Sequence, residues 1–253
     1  MKIVKVCSSQ GSLGKNIGCE KAPDLILEEL KTIEFNESKR KIIFSIDDAK
    51  INPNNIDETN FNLEKQQGDI FLGGDHSITY SLFKGFAAGK SNIGLLIFDA
   101  HPDCSLYVKS ISHEDFVRKL VDEGVLKKEN IIYLGLRKFG KSEVEFLKGV
   151  KSFDMKDVFL NFNEVCDTIM ELCLGFKEFY LSLDIDVLDP AFAPGTGYLE
   201  PGGMSVRDLL YFISRIKLLK NLKRIDLVEV NPDKDVKGIT VKNAAKIMSE
   251  LLQ

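Results

Sequence analysis

Short apolar runs alternate with amphipathic stretches along the whole chain. Runs at residues 3–7, 41–46, 69–72, 93–98, 130–136, 179–183 and 224–228 read as β-strands, with a weaker eighth near 151–153. Several, such as Gly94-Leu95-Leu96-Ile97-Phe98, do not alternate apolar with polar. That pattern belongs to strands buried on both faces, as in a parallel sheet. Helical spacing fills the gaps. Pro23 opens one helix, carrying Leu25, Ile26, Leu27 and Leu30, because proline suits the first helical turn. Further helices are predicted at 77–88, 113–122, 155–174, 205–219 and 240–252, and the polar stretch 52–62 is predicted to be surface loop. Strand, helix, strand in this repetition predicts an α/β fold around a mainly parallel sheet of about eight strands. With no linker, repeat or low-complexity tract, residues 1–253 are expected to form a single domain.

Composition narrows the partners. The 253 residues are 44% hydrophobic and 28% charged, the balance of a globular protein with a core to bury. A net charge of −4 offers no electrostatic case for nucleic acid or an anionic membrane as partner. No apolar run reaches the roughly 18 residues of a membrane span. Met1-Lys2-Ile3-Val4-Lys5-Val6-Cys7 lacks the uninterrupted apolar stretch of a signal peptide. The five cysteines, Cys7, Cys19, Cys104, Cys166 and Cys173, are scattered and form no CxxC pair. They read as reduced thiols of a cytoplasmic protein.

Candidate chemistry sits just after the buried runs, where open parallel sheets bind ligands. Ile70-Phe71-Leu72 leads to Gly73-Gly74-Asp75-His76, and residues 93–98 lead to Asp99-Ala100-His101-Pro102-Asp103. Tyr180-Leu181-Ser182-Leu183 leads to Asp184-Ile185-Asp186, and Ile225-Asp226-Leu227-Val228 leads to Glu229. In extended backbone, side chains at i, i+2 and i+4 point to one side. Asp99, His101 and Asp103 are therefore expected to converge, as are Asp184 and Asp186, with Gly73 and Gly74 giving a tight turn before His76. Taken singly, a strand-end Asp serves as a cap or turn former, and a lone His is structural. The joint pattern differs: two of the three histidines in the chain fall inside these motifs. Two imidazoles and four carboxylates suit Mn²⁺, with Fe²⁺, Co²⁺ or Zn²⁺ also compatible. Two divalent cations would balance the four carboxylates; a single ion would leave buried like charges in repulsion. The six expected metal ligands are His76, Asp99, His101, Asp103, Asp184 and Asp186.

Gly73-Gly74-Asp75-His76-Ser77, Asp99-Ala100-His101-Pro102-Asp103 and the segment from Ser182 to Gly197 resemble the three signatures of the ureohydrolases, the arginases, agmatinases and their relatives. Weaker similarity covers Gly18-Cys19-Glu20-Lys21-Ala22-Pro23, Leu134-Gly135-Leu136-Arg137 and Val228-Glu229-Val230-Asn231-Pro232, so the resemblance spans nearly the whole chain. It implies an arginase-like three-layer α/β/α fold, a centre of two Mn²⁺ ions and a homo-oligomer, trimeric or hexameric. Carried over by position, one ion would take His76, Asp99, Asp103 and Asp184. The other would take His101, Asp99, Asp184 and Asp186. Asp75 and Asp189 lie in the motifs but are not expected to ligate.

The implied reaction is hydrolysis of a guanidino C–N bond to urea and an amine, since metals lower the pKa of water toward ~7. Asp103 would take up and pass on the proton, Glu229 would hold the guanidinium, and His113 would relay protons. The family places Gly after that histidine; here Glu114 follows. The other reading of His113 is a surface residue in a capped helix start, Ser112-His113-Glu114-Asp115. Cys104 is expected in the core or pocket wall. The small substrate is expected to be agmatine, from the agmatinase-like residues 189–203 and the short gap between Asp103 and His113. Arginine, a guanidino acid or a formimino compound are alternatives, because Lys109, if it faces the pocket, would favour a carboxylate; a solvated loop lysine is the plainer reading. Tyr198-Leu199 departs from the family after the Gly-Thr-Gly turn. The rivals are a non-catalytic metal-binding protein, a two-metal phosphoesterase and a single-metal deacetylase of related fold.

Overall fold

Successive strand residues point to opposite faces of a sheet, and in this chain both faces are apolar. Leu96 and Phe98 pack on one side while Leu95 and Ile97 pack on the other, so the sheet must be covered twice. The computed structural model describes residues 1–107 and 110–252. Its elements run β1 (Lys2–Val6), α1 (Ala22–Leu30), β2 (Ser45–Asp48), α2 (Ile56–Glu64), β3 (Ile70–Gly73), α3 (Ile78–Ala87), β4 (Ile93–Phe98), α4 (Phe116–Asp122), β5 (Ile131–Leu136) and α5 (Lys141–Phe146). There follow β6 (Lys151–Asp154), α6 (Met155–Leu174), β7 (Glu178–Asp184), α7 (Val206–Ile216), β8 (Leu222–Val228) and α8 (Ile239–Leu251).

The eight strands form one sheet in the order β2-β1-β3-β8-β7-β4-β5-β6, and every neighbouring pair is parallel. Helices α1, α6, α7 and α8 bury their apolar faces against one side. Leu63 of α2, with α3, α4 and Phe146 of α5, covers the other. The result is the expected three-layer α/β/α arrangement. Four strands followed by candidate ligands, β3, β8, β7 and β4, lie side by side at the centre. Their carboxyl ends therefore open on one crevice, although the motifs are far apart in sequence.

Several local expectations need correction. The predicted loop at 52–62 contains α2. Asn55 caps it, its side chain accepting from the Asp57 and Glu58 amides, and Thr59 and Leu63, one turn apart, are buried. Polar composition concealed a helix that buries a single narrow stripe. The predicted strand at 41–46 begins only at Ser45. Upstream the backbone turns on itself, with Ile42 N–H donating to Glu34 O at 3.0 Å and Asn36 N–H to Arg40 O at 3.1 Å. The helix predicted from 113 starts at Phe116, because the Asp115 carboxylate folds back onto Ser112 N–H and Oγ. Helix α5 had no counterpart among the predictions. Its six residues are too few for periodicity to register.

Candidate metal centre

The turn after β3 is shaped by close packing rather than by a left-handed residue. A Cβ on Gly74 would sit 1.8 Å from Ser8 O, and one on Gly73 would meet Ile78 and Val228. Glycine lets the turn pass hard against the end of β1. It is pinned by Asp75, which is buried and accepts from Gly11 N–H at 3.0 Å and Ser77 N–H at 2.9 Å. His76 then lies fully buried over the sheet, its ring against Phe116 at 4.6 Å.

Convergence of the aspartates also differs in mechanism from simple alternation. Asp103 has φ +46°, a left-handed conformation unusual away from glycine. Its main chain doubles back so that its carboxylate meets His76. Asp184 ends β7, and a 3₁₀ turn over Ile185–Val187 carries Asp186 round. Asp184 Oδ1 accepts from Asp186 N–H at 2.8 Å, and Asp186 Oδ1 from Ala100 N–H at 3.0 Å. Asp99 Oδ1 likewise accepts from His101 N–H at 2.6 Å. Asp184 and Asp186 thus each give one carboxylate oxygen to the backbone and keep the other for the centre, whereas Asp99 Oδ1 serves the His101 amide and also faces the His101 ring.

Two clusters result. His76 Nδ1 lies 2.9 Å from Asp103, 3.1 Å from Asp99 and 3.3 Å from Asp184. His101 Nδ1 lies 2.9 Å from Asp186 and 3.5 Å from Asp99. Asp99 belongs to both groups of potential ligands. On the far side of the His76 ring, Nε2 is 2.8 Å from Ser182 Oγ. Ser182 Oγ donates to Asp226 Oδ1 at 2.6 Å, and Asp226 Oδ2 accepts from Thr79 Oγ1 and Tyr180 OH, each at 2.7 Å. Because Ser182 spends its proton on Asp226, it accepts from His76 Nε2–H. That tautomer leaves a lone pair on Nδ1 facing three carboxylates. His76 Nδ1 and Asp99 Oδ2 are buried with no hydrogen-bond partner among the described residues. A cation satisfies both at once, and mixed nitrogen and carboxylate donors suit a divalent ion of the Mn²⁺ to Zn²⁺ series.

The electrostatics agree. Burial, then the charge of Asp99, pushes Asp103 up to about 7. Burial, with Asp186 and Asp99, raises Asp184 far above the carboxylate range. Burial opposes charge on His76, but the facing carboxylates of Asp103, Asp184 and Asp99 outweigh it and raise its pKa well above the ordinary value. Against burial, the charge of His101 draws Asp186 down to about 2. Negative charge concentrated in low dielectric is stable only with positive charge beside it.

Glu229 follows β8 with φ +67°, its amide donating to Gly74 O at 2.7 Å. Its Oε1 accepts from His76 N–H at 2.6 Å and lies 3.0 Å from His113 Nδ1; its Oε2 accepts from Asn16 Nδ2 at 2.6 Å. Burial lowers the His113 imidazole pKa, but the Glu229 carboxylate more than reverses this and raises it to about 9. Burial works against ionised Glu229, yet the bond to His113 keeps its pKa below the usual value. Both residues, with His101, Asp103, Asp184 and Asp186, line a cavity of about 250 Å³. Its outer wall includes Ser105, Glu114, Lys138, Phe139, Glu143, Tyr198 and Glu200.

The arginase family model matches residues 2–253. This chain belongs to the arginase family. Among curated ureohydrolases, it is 32% identical to formimidoylglutamase of Halalkalibacterium halodurans, over 91% of this chain and 74% of that one. It is 31% identical to arginase of Staphylococcus aureus strain COL, over 85% of this chain and 78% of the relative. The structure of formimidoylglutamase from Bacillus subtilis superposes with a TM-score of 0.90 at 24% identity, covering 99% of this chain and 85% of that one; at that identity the likeness speaks for the fold. As an arginase-family ureohydrolase, the protein is a hydrolase of C–N bonds in guanidino and related amidino compounds.

At this candidate site, all six expected ligands and Glu229 meet at one crevice, and His113 joins them through Glu229. His113 is buried rather than a surface residue of a helix start. Cys104 is fully buried in the core cluster beneath α4. Asp189 forms turns, its carboxylate accepting from the amides of Ala191, Gly202 and Gly203. The expectation for Lys109 lies outside the described residues. Sequence reasoning missed Ser182, Asp226, Thr79 and Tyr180 behind His76, and Asn16 behind Glu229. Asp226 had a signal, a carboxylate inside the buried run Arg224-Ile225-Asp226-Leu227-Val228; Asn16, in an irregular loop, had none. Arg137 was also missed as a staple. Its guanidinium donates to the carbonyls of Asp186, Leu188 and Glu200 at 2.6, 3.1 and 2.8 Å, fixing the loop that brings Glu200 to the cavity.

Proposed function

We propose that this ureohydrolase cleaves a small guanidino compound with an amine tail, agmatine foremost, to urea and putrescine, at a centre of two Mn²⁺ ions. The observation that carries the proposal is the pair of donor clusters sharing Asp99 beside a cavity whose wall holds Glu229. His76, Asp99, Asp103 and Asp184 would hold one ion, and His101, Asp99, Asp184 and Asp186 the other. Bound divalent ions supply positive charge and activated water at neutral pH. Glu229 receives the guanidinium. Its Oε1 already takes two donors, whereas Oε2 takes one from Asn16 and has a lone pair left for the substrate. Asp103 accepts a proton from the attacking water and passes it to the departing nitrogen. His113, charged through Glu229, moves protons between that nitrogen and the cavity mouth.

The cavity is at or below the small end of ligand sites, which favours a compact linear substrate. Among the described residues, its outer wall sets Glu114, Glu143 and Glu200 against Lys138, and Lys138 lies 4.0 Å from Glu200. That balance favours a cationic tail. A formimino acid is the second reading, supported by the likeness to formimidoylglutamase. The proposal extends to one arginase-like domain, a cytoplasmic location and a trimeric or hexameric homo-oligomer, which light scattering measures.

The deciding experiment loads the protein with Mn²⁺ and offers agmatine, arginine, 4-guanidinobutyrate and formiminoglutamate, scoring urea or, for the last, formamide. Agmatine should give the highest kcat/KM. Two ions bound per chain with no turnover of any of the four would instead support a non-catalytic metal protein. One ion per chain would point to deacetylase-like chemistry, and release of phosphate from a generic ester to a phosphoesterase.

A further inference from the structure

Two of the departures from the family pattern, Glu114 after His113 and Tyr198 after the Gly-Thr-Gly turn, meet in space. The Tyr198 hydroxyl donates to Glu114 Oε1 at 2.6 Å. The Tyr198 ring stacks on His113, with centroids 5.9 Å apart and planes at 27°, and meets His101 edge-on at 5.4 Å. Tyr198 therefore braces the two histidines that flank the cavity and holds a carboxylate at its mouth. Glu114 Oε1 lies 4.0 Å from His113 Nε2, and the opposite ring nitrogen lies 3.0 Å from Glu229 Oε1. The two carboxylates thus stand on either side of a single imidazole and line the same cavity.

Among the described residues, the other carboxylates of the mouth are already engaged. Glu143 accepts from Gly140 N–H at 2.6 Å and Ser105 Oγ at 3.0 Å. Glu200 lies between His101 Nε2 at 3.6 Å and Lys138 Nζ at 4.0 Å. Glu114 has its Oε2 unpartnered among the described residues, and its side chain, 40% exposed, lines the cavity. A carboxylate with one oxygen fixed and the other open is prepared to take a charged hydrogen bond at little cost in ordering.

We propose that Glu114, positioned by Tyr198, is the specificity-determining residue that binds the cationic tail of the substrate while Glu229 binds the guanidinium. The ligand class is a linear dication with guanidinium and ammonium ends. The assignment rests on the guanidino-hydrolase reading above and adds the determinant that selects among tails. A tail carboxylate would face Glu114 at close range and be rejected.

The test compares agmatine with 4-guanidinobutyrate on the Mn²⁺-loaded full chain, since the two differ in the charge of the tail. Glu114→Gln should raise KM for agmatine about tenfold, with kcat held within about twofold. KM for 4-guanidinobutyrate should stay level or fall. Tyr198→Phe, which keeps the ring and frees the carboxylate, should give an intermediate loss. Glu114→Lys, at a half-exposed position, should reverse the preference. An equal loss on both substrates, or a loss confined to kcat, would overturn the assignment. Calorimetric binding of putrescine gives a readout without turnover, and Glu114→Gln should weaken it by a similar factor. If the wild type binds putrescine through Glu114 yet releases urea from no substrate, the hydrolase reading fails and the anchor stands. Wild-type and Glu114→Gln proteins with equal putrescine affinity would sink the anchor itself.

Discussion

At the scale of single residues, the site depends on which atom of a side chain is free. His76 could present either ring nitrogen. Ser182, committed as donor to Asp226, turns Nε2–H away from the centre and leaves Nδ1 for an ion. Ser182→Ala removes that acceptor, and Mn²⁺ affinity should fall about tenfold or more. Calorimetric titration of the metal-free protein measures it, and an unchanged affinity would show that the ligands alone set the ring. The His113–Glu229 pair carries a pH dependence. Against burial, Glu229 raises His113 from 6.5 to about 9. Its contribution to stability is therefore full below about pH 6.5 and is lost as pH rises through about 9. Glu229 is shifted the other way, below its ordinary 4.5, so its contribution is present above that value and is lost at lower pH. In metal-free protein, chemical denaturation should find wild type more stable than His113→Asn near about pH 6, with the gap closing by about pH 9.5. A gap that widens with pH would contradict the pairing.

Elements act as supports whose ends matter more than their middles. Gly74 passes so close to Ser8 O that a methyl group cannot be accommodated. Gly74→Ala should displace the turn that carries Asp75 and His76 and lose several kcal/mol, about 3 or more, by overpacking against backbone. Thermal denaturation will show it, and a near-neutral result would mean the turn shifts freely. Helix α6 spans Met155–Leu174 with a break at Asn161, where φ is −138° and ψ 43°, and is started by Asp154, which accepts from Asp157 N–H at 2.9 Å. Asp154→Ala should cost about 1 kcal/mol and leave the metal centre untouched, so Mn²⁺ affinity and stability should separate in this variant. At this scale the apolar stripe of α6 is legible from 155 to 174, because it repeats over many turns, but the break at Asn161 leaves no mark in that pattern. Helices α2 and α5 escaped notice, because one or two turns bury too few residues to stand out from a polar loop.

For the whole molecule, the central four strands bring together carboxylates that repel one another, so fold stability and ion binding are linked. Chelation of the metal should lower the melting temperature by about 5 °C or more, given about 2.7 kcal/mol for a site held at a hundredfold excess over Kd. Restoring Mn²⁺ should recover it, and equal melting temperatures would mean the clustered carboxylates are neutralised without ions. The sequence alone determined the parallel α/β class, because doubly buried strands need continuous apolar runs. It also singled out the residues expected to ligate, because two of three histidines stand at strand ends among aspartates. Tertiary structure decided how they converge. Alternation along a strand predicted one-sidedness, whereas left-handed Asp103, the 3₁₀ turn after Asp184 and the glycine contact at Ser8 produced the actual approach. Only the folded chain could show Asn16 behind Glu229, Asp226 behind His76 and Tyr198 against Glu114. Those partners lie 213, 150 and 84 residues apart in sequence, with Asp226 reaching His76 through Ser182, and contacts at such separation leave no periodic mark for a linear pattern to reveal.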